Sequence, residues 1–116
     1  MGYIKHHAIV VTSWDDKTIE KAWWKAHEFG CNPSKIVGPY TNGYGSFLIP
    51  PDGSKEGWTG SYDGDAARHC FKNWLNTQGY DDDSTSLEWV EVSYGSDDGK
   101  AEVTDSTWHS KPNVSK

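Results

Sequence analysis

Residues 3 to 12, Tyr-Ile-Lys-His-His-Ala-Ile-Val-Val-Thr, end in a β-branched run that is apolar on both faces. Such a run predicts a central strand covered on both sides. Alternation places Ile4, His6, Ala8 and Val10 on one face and Lys5, His7, Ile9 and Val11 on the other, so His6 and His7 cannot serve one site. The period then changes. Ser13 is a capping residue with Asp16 three positions on, and the Asp15-Asp16 pair suits the positive end of a helix. Ile19, Ala22, Trp23, Ala26 and Phe29 form the helix's buried stripe. Trp24 falls about 100° round from Trp23 and points away from that stripe, which makes it an interface candidate. Gly30 to Ser34 end the helix. Lys35 to Tyr40 read as a short strand that Pro39 confines to an edge, and Thr41-Asn42-Gly43-Tyr44 turns it back into a third strand at 44–49 as a hairpin.

Pro50-Pro51 removes two backbone donors and ends the third strand; Asp52-Gly53-Ser54 then has turn chemistry, so the chain leaves the sheet on a loop. Asp63-Gly64-Asp65 supplies capping carboxylates for a second helix. Its apolar stripe is Ala67, Cys70, Phe71, Trp74 and Leu75, and Gly79 stops it. Cys70 and Trp74 are thus expected in the core. Leu87 to Tyr94 is the last clear strand, with Val90, Val92 and Tyr94 on one face and Leu87 and Trp89 on the other. A short strand at Ala101 to Thr104 and a polar tail from Ser106 follow.

The order is β-α-β-β-α-β, a ferredoxin-like α+β arrangement: four antiparallel strands, two helices on one face, and strands one and three in the centre. It predicts a single domain over residues 1–95 and a polar extension over 96–116. The helices cover one face of the first strand. In a chain of 116 residues a second subunit is the simplest cover for the other, so a homo-oligomer is expected, with Trp24 and Trp89 as interface residues.

Charge and composition narrow the partners. A net charge of −6 disfavours a polyanionic duplex, whereas a small nucleotide needs only a local cation from among Lys5, Lys55, Arg68 and Lys72. Seven tryptophans, six tyrosines and three phenylalanines are too many for a chain this short to bury at a mean hydropathy of −0.80. Some should line a pocket or an interface. The N-terminus has no apolar run of signal-peptide length and no stretch approaches a membrane span, so Cys31 and Cys70 are expected as reduced thiols of a cytosolic protein, without membrane association. Histidines and cysteines show no H-E-x-x-H or C-x-x-C spacing, and no metal or other cofactor is expected. The two-histidine phosphoesterase pattern is missing too: His109 is followed directly by Ser110, and neither His6 nor His7 has Thr or Ser two residues on.

The most informative stretch is Asn42-Gly43-Tyr44-Gly45-Ser46-Phe47-Leu48-Ile49-Pro50-Pro51-Asp52-Gly53-Ser54-Lys55-Glu56-Gly57-Trp58. Its loop gathers a hydroxyl, an ammonium, glycine amides and an indole, which together can hold an anion and cover an aromatic ring, the two demands a nucleotide makes. With His-His-Ala-Ile-Val-Val-Thr-Ser-Trp of the first strand, this stretch resembles the small phage anti-CBASS sponges, a likeness spanning residues 3–76. The resemblance implies an oligomer that sequesters a cyclic dinucleotide such as 3′,3′-cGAMP in the host cytoplasm without hydrolysing it. From the residues, Trp58 and Tyr44 are the expected stacking groups, Ser54 and Lys55 the phosphate ligands, and Trp14 a further wall, with His7 and Thr12 beside them. Two alternatives are a phosphodiesterase using Asp52, Glu56 or a histidine, and a phage protein that inhibits a host protein through Trp24 and its acidic tail.

Overall fold

The computed structural model describes residues 5–53, 59–78, 86–95 and 99–107, without side chains for 59–62. Strand β1 (His6–Ser13) lies inside the sheet, paired antiparallel on one side with β2 (Gly45–Ile49) and on the other with β3 (Leu87–Tyr94). Val11 sits opposite both Phe47 and Trp89, and Ile9 opposite both Ile49 and Glu91. An eight-residue β-branched strand flanked on both edges is what the two-sided apolar run of β1 requires.

Helix α1 (Asp16–Glu28) joins β1 to β2, and α2 (Thr59–Asn76) joins β2 to β3. Asp15, not Ser13, is the N-cap residue of α1; the Ser13 hydroxyl instead accepts the Asp15 N–H at 3.1 Å, while Thr18 donates to the Asp15 carboxylate at 2.5 Å. Ile19, Ala22 and Ala26 of α1 and Phe71 and Leu75 of α2 are buried in one cluster with Ile9, Val11, Phe47, Ile49, Leu87 and Trp89. All these strand residues share one face by register, so the core is a single layer between that face and the two helices.

The α+β class, two helices and a four-stranded antiparallel sheet agree with the sequence reading, but the order does not. The chain runs β-α-β-α-β-β with sheet order β2-β1-β3-β4, where β4 is Glu102–Ser106. This is not the ferredoxin order. The expected strand at 35–40 contributes only the Val37↔Ser46 bridge, because Gly38 at φ +104° and Pro39 interrupt its ladder. The centre is therefore β1 and Leu87–Tyr94, not β1 and the strand at 44–49. Residues of the expected C-terminal extension supply the fourth strand. β4 is held where Thr107 Oγ1 accepts the Trp89 N–H at 2.7 Å and the Thr107 N–H donates to the Trp89 carbonyl at 3.0 Å.

Three further expectations change. Helix α2 starts at Thr59, a turn before the expected Asp63-Gly64-Asp65 cap. Cys70 is exposed; the buried side of α2 is taken by Phe71, Leu75 and Arg68, with Ala67 and Trp74 half-buried beside them. Trp89, expected at an interface, is 4% exposed and belongs to the monomer's own core. Trp24 does face solvent, edge-on to Trp23 and His27.

The two thiols should behave differently. Cys31 is buried against the Ala67 carbonyl, and burial pushes its pKa from 9.0 up to about 11, with Arg68 pulling it down and Cys70 adding a smaller rise. A folded-state pKa above the unfolded value stabilises the fold at low pH and loses that contribution as pH rises from about 9 to 11. Iodoacetamide at pH 8 should therefore label Cys70 alone in the native protein and both thiols after denaturation, read by mass spectrometry.

Candidate functional site at the open end of the sheet

The face of the sheet opposite the helices is assembled by the same register. Thr12 pairs with Ser46 and Val10 with Leu48, while Ala8, Val10 and Thr12 oppose Val92, Val90 and Glu88. Val10 and Leu48 are each 38% exposed. Thr12 Oγ1 and Ser46 Oγ lie 2.9 Å apart and hydrogen-bond to each other.

At one end of this face β1 finishes at Ser13, β2 begins at Gly45, and these two residues pair. Trp14 and Tyr44 flank that pair directly. A short 3₁₀ turn, Thr41–Gly43, brings Tyr40 to the same end: the Tyr40 N–H donates to the Tyr44 carbonyl at 2.7 Å, and the Gly43 N–H to the Tyr40 carbonyl at 2.9 Å. Asn42 at φ +62° and Gly43 at φ +79° make the reversal, which suits Asn-Gly. Gly43 lies against the Trp14 carbonyl, where an added Cβ would stand 3.2 Å from the oxygen. Trp14 is 53% exposed, Tyr40 70% and Tyr44 40%. Three aromatic side chains are thus left to solvent at one end of an uncovered sheet.

Behind this turn is a cleft of about 280 Å³ lined by Asp16, Ile19 and Glu20 of α1 and by Ile36, Gly38, Pro39 and Gly45. The carboxylates give its rim acceptors and no cation. The segment from Ser34 onward forms the far wall and covers the outer edge of β2: the Ser34 N–H donates to the Leu48 carbonyl at 2.8 Å, and Ser34 Oγ accepts the Leu48 N–H at 2.9 Å. Trp23 pins this segment to α1 by donating Nε1–H to the Ser34 carbonyl at 2.7 Å. Gly38 is needed here, since a Cβ would lie 2.6 Å from the Tyr44 carbonyl oxygen and 3.1 Å from Gly45 Cα. Gly38→Ala should displace the Tyr40–Tyr44 turn and destabilise the fold by more than about 1 kcal/mol. A fall in the urea midpoint together with shifted Tyr40 and Tyr44 ring resonances would show both effects.

The expected site residues separate into groups. Trp14, Thr12 and Tyr44 come together. His7 does not: it lies toward the other end of β1, on the helix-covered side, lining a cleft of about 530 Å³ with Asp65, Arg68, His69, Lys72 and Glu91. Ser54, Lys55 and Trp58 lie outside the described residues. The chain that leads to them leaves β2 at Ile49, and five strand residues put that end roughly 14 Å from Gly45.

Arg68 and Lys72 are not the unpaired cations that the charge reading offered. Buried Arg68 donates to Asp52 at 3.2 Å and to Asp65. Lys72 bridges Glu91 at 2.8 Å and Asp105 at 3.4 Å, and Thr104 Oγ1 donates to the same Glu91 at 2.9 Å. These bridges tie α2 to the Pro-Pro loop and to the sheet, and carboxylates outnumber the two cations there. Among the described residues no group of three or more His, Cys, Asp or Glu is placed to hold a metal ion, and no helix is long and apolar enough to cross a membrane.

Tyr40 and Ser46 are site residues that the sequence reading passed over. The signal for Tyr40 was present: it precedes Asn42-Gly43 by two residues and so faces Tyr44 across the turn. Compared with protein families, curated proteins and solved structures, the chain matches none of them.

Proposed function

We propose that the protein binds and sequesters a cyclic dinucleotide such as 3′,3′-cGAMP, as a phage protein that silences a host immune signal, and returns the ligand unaltered. The observation that carries this reading is the grouping of Trp14, Tyr40 and Tyr44 in exposed positions around the Ser13↔Gly45 pair. Each stacked base contributes about 1–3 kcal/mol, and a ligand with two bases uses two such platforms. Asp16 and Glu20 on the adjoining cleft are acceptors, which suits the N–H edge of a guanine better than the acceptor-rich edge of a pyrimidine carbonyl. Sequestration without turnover is favoured because the hydroxyls at this end, Thr12 and Ser46, bond to each other and not to a base that would activate either as a nucleophile. The phosphates fall to the loop that carries Ser54 and Lys55, with Trp58 as a further stacking group.

The test is capture and recovery. Protein mixed with 3′,3′-cGAMP and passed through an ultrafilter should retain the nucleotide, and heat denaturation should release it with unchanged mass. Linear product in the released fraction would instead establish a phosphodiesterase. The rival reading, inhibition of a host protein by contact, draws on the exposed ring of Trp24 and predicts free passage of the nucleotide through the filter.

A further inference from the structure

From the open face of the sheet we infer that two copies of this chain pack face to face, with their strands antiparallel across a two-fold axis. The centre of that face is aliphatic: Ala8 and Val10 of β1, Leu48 of β2, Val90 and Val92 of β3, and Val103 of β4, which pairs with Val92. Val10, Leu48 and Val103 are exposed, and the helices lie on the other side. No lysine or arginine stands on this face of the four strands, so it offers nothing to a nucleic acid or an anionic bilayer.

The ionisable groups on the face are His6 at one end and Glu88 at the other, since His6 pairs with Tyr94 and Thr12 with Glu88. That arrangement is self-complementary in one orientation. A two-fold axis across the strands lays Glu88 of each copy over the His6–Tyr94 end of the other, whereas an axis along the strands would oppose the two Glu88 carboxylates. A partner of different chemistry has no need of this polarity. The size also fits. Four strands about 4.8 Å apart and eight residues long give a face on the order of 500 Å² in projection, and more in accessible area once side-chain relief is counted. Specific dimers begin at about 600 Å² per partner. Sheets packed this way lie about 10 Å apart with strands within about 30° of alignment.

Sedimentation of the full chain without nucleotide tests the inference independently of ligand binding. The wild type should sediment at about twice the 13.0 kDa of one chain. Val10→Glu places an unpaired carboxylate at the centre of the buried face and should weaken association on the order of 100-fold or more, with an unchanged circular dichroism spectrum because Val10 is exposed in the monomer. Trp24→Ala, on the helix side, should leave the dimer intact. In a Cys70→Ser background, Glu88→Cys combined with Tyr94→Cys should oxidise to a covalent dimer. The two positions lie roughly 20 Å apart along one strand and cannot bridge within a chain. A monomeric wild type, the outcome if residues 108–116 or another protein cover the face, would overturn the proposal. So would a dimer that survives Val10→Glu, and crosslinking by Glu88→Cys alone would overturn the antiparallel arrangement.

Discussion

Phe71→Ala is expected to lower the unfolding free energy by about 3–5 kcal/mol, the range for an aromatic side chain deleted from a packed core. Phe71 is fully buried, lies parallel to Trp74 with ring centres 6.2 Å apart, and meets Phe47 at 6.4 Å with the rings tilted by 39°. It is therefore the group through which α2 grips β2. Removing it leaves a cavity bounded by one helix and the sheet, and neither can close it without moving the other. Domains of this size have about 5–15 kcal/mol in total, so the loss is a large share of the margin. Urea denaturation should show the midpoint falling with little change in slope. Trp24→Ala should move the midpoint by less than about 0.5 kcal/mol equivalent, since that ring stands in solvent. A similar effect from the two variants would mean that the helices do not share one core.

The second large effect concerns ligand affinity. Trp14→Ala and Tyr44→Ala should each weaken cyclic-dinucleotide binding by about 1–3 kcal/mol, or roughly 5- to 150-fold. Neither should disturb the fold, because both side chains are exposed and the Ser13↔Gly45 pair that positions them is made by backbone groups. Tyr40→Ala should weaken binding in the same direction, since Tyr40 is bonded to Tyr44 through the backbone. Trp24→Ala is the matched control, an exposed tryptophan on the opposite side of the molecule. Equal losses from Trp24→Ala and Trp14→Ala would place the site elsewhere.

Much of the fold was legible because its periodicities are local. The β1 run, the Ile19-Ala22-Ala26 stripe and the Leu87–Tyr94 alternation each come from a few consecutive residues, and all three appear as read. What was not legible depends on competition between segments. Residues 35–40 carry strand-forming side chains, but Gly38 and Pro39 leave them a single bridge, and the sheet gains its fourth strand from Glu102–Ser106. That strand is polar and short, with only Val103 to mark it. The first turn of α2 was hidden for a related reason: Thr59-Gly60-Ser61-Tyr62 has no apolar spacing to reveal a helix.

The site was half legible. Trp14 and Tyr44 were singled out for residue type, and the Ser13↔Gly45 register brings them to one end. His7 was grouped with them only because it shares a strand. An eight-residue strand spans most of the sheet, so residues near its two ends serve different regions. Arg68 and Lys72 looked like available cations because their carboxylate partners are distant in sequence: Asp52 is 16 residues from Arg68, and Glu91 is 19 from Lys72.

Calorimetric titration of the protein with 3′,3′-cGAMP tests the central claim most directly. Saturable heat, abolished or weakened at least fivefold in a Trp14→Ala/Tyr44→Ala double variant and retained in Trp24→Ala, is the result predicted here. An absence of binding heat with the folded wild-type protein, or binding unchanged in the double variant, would contradict it.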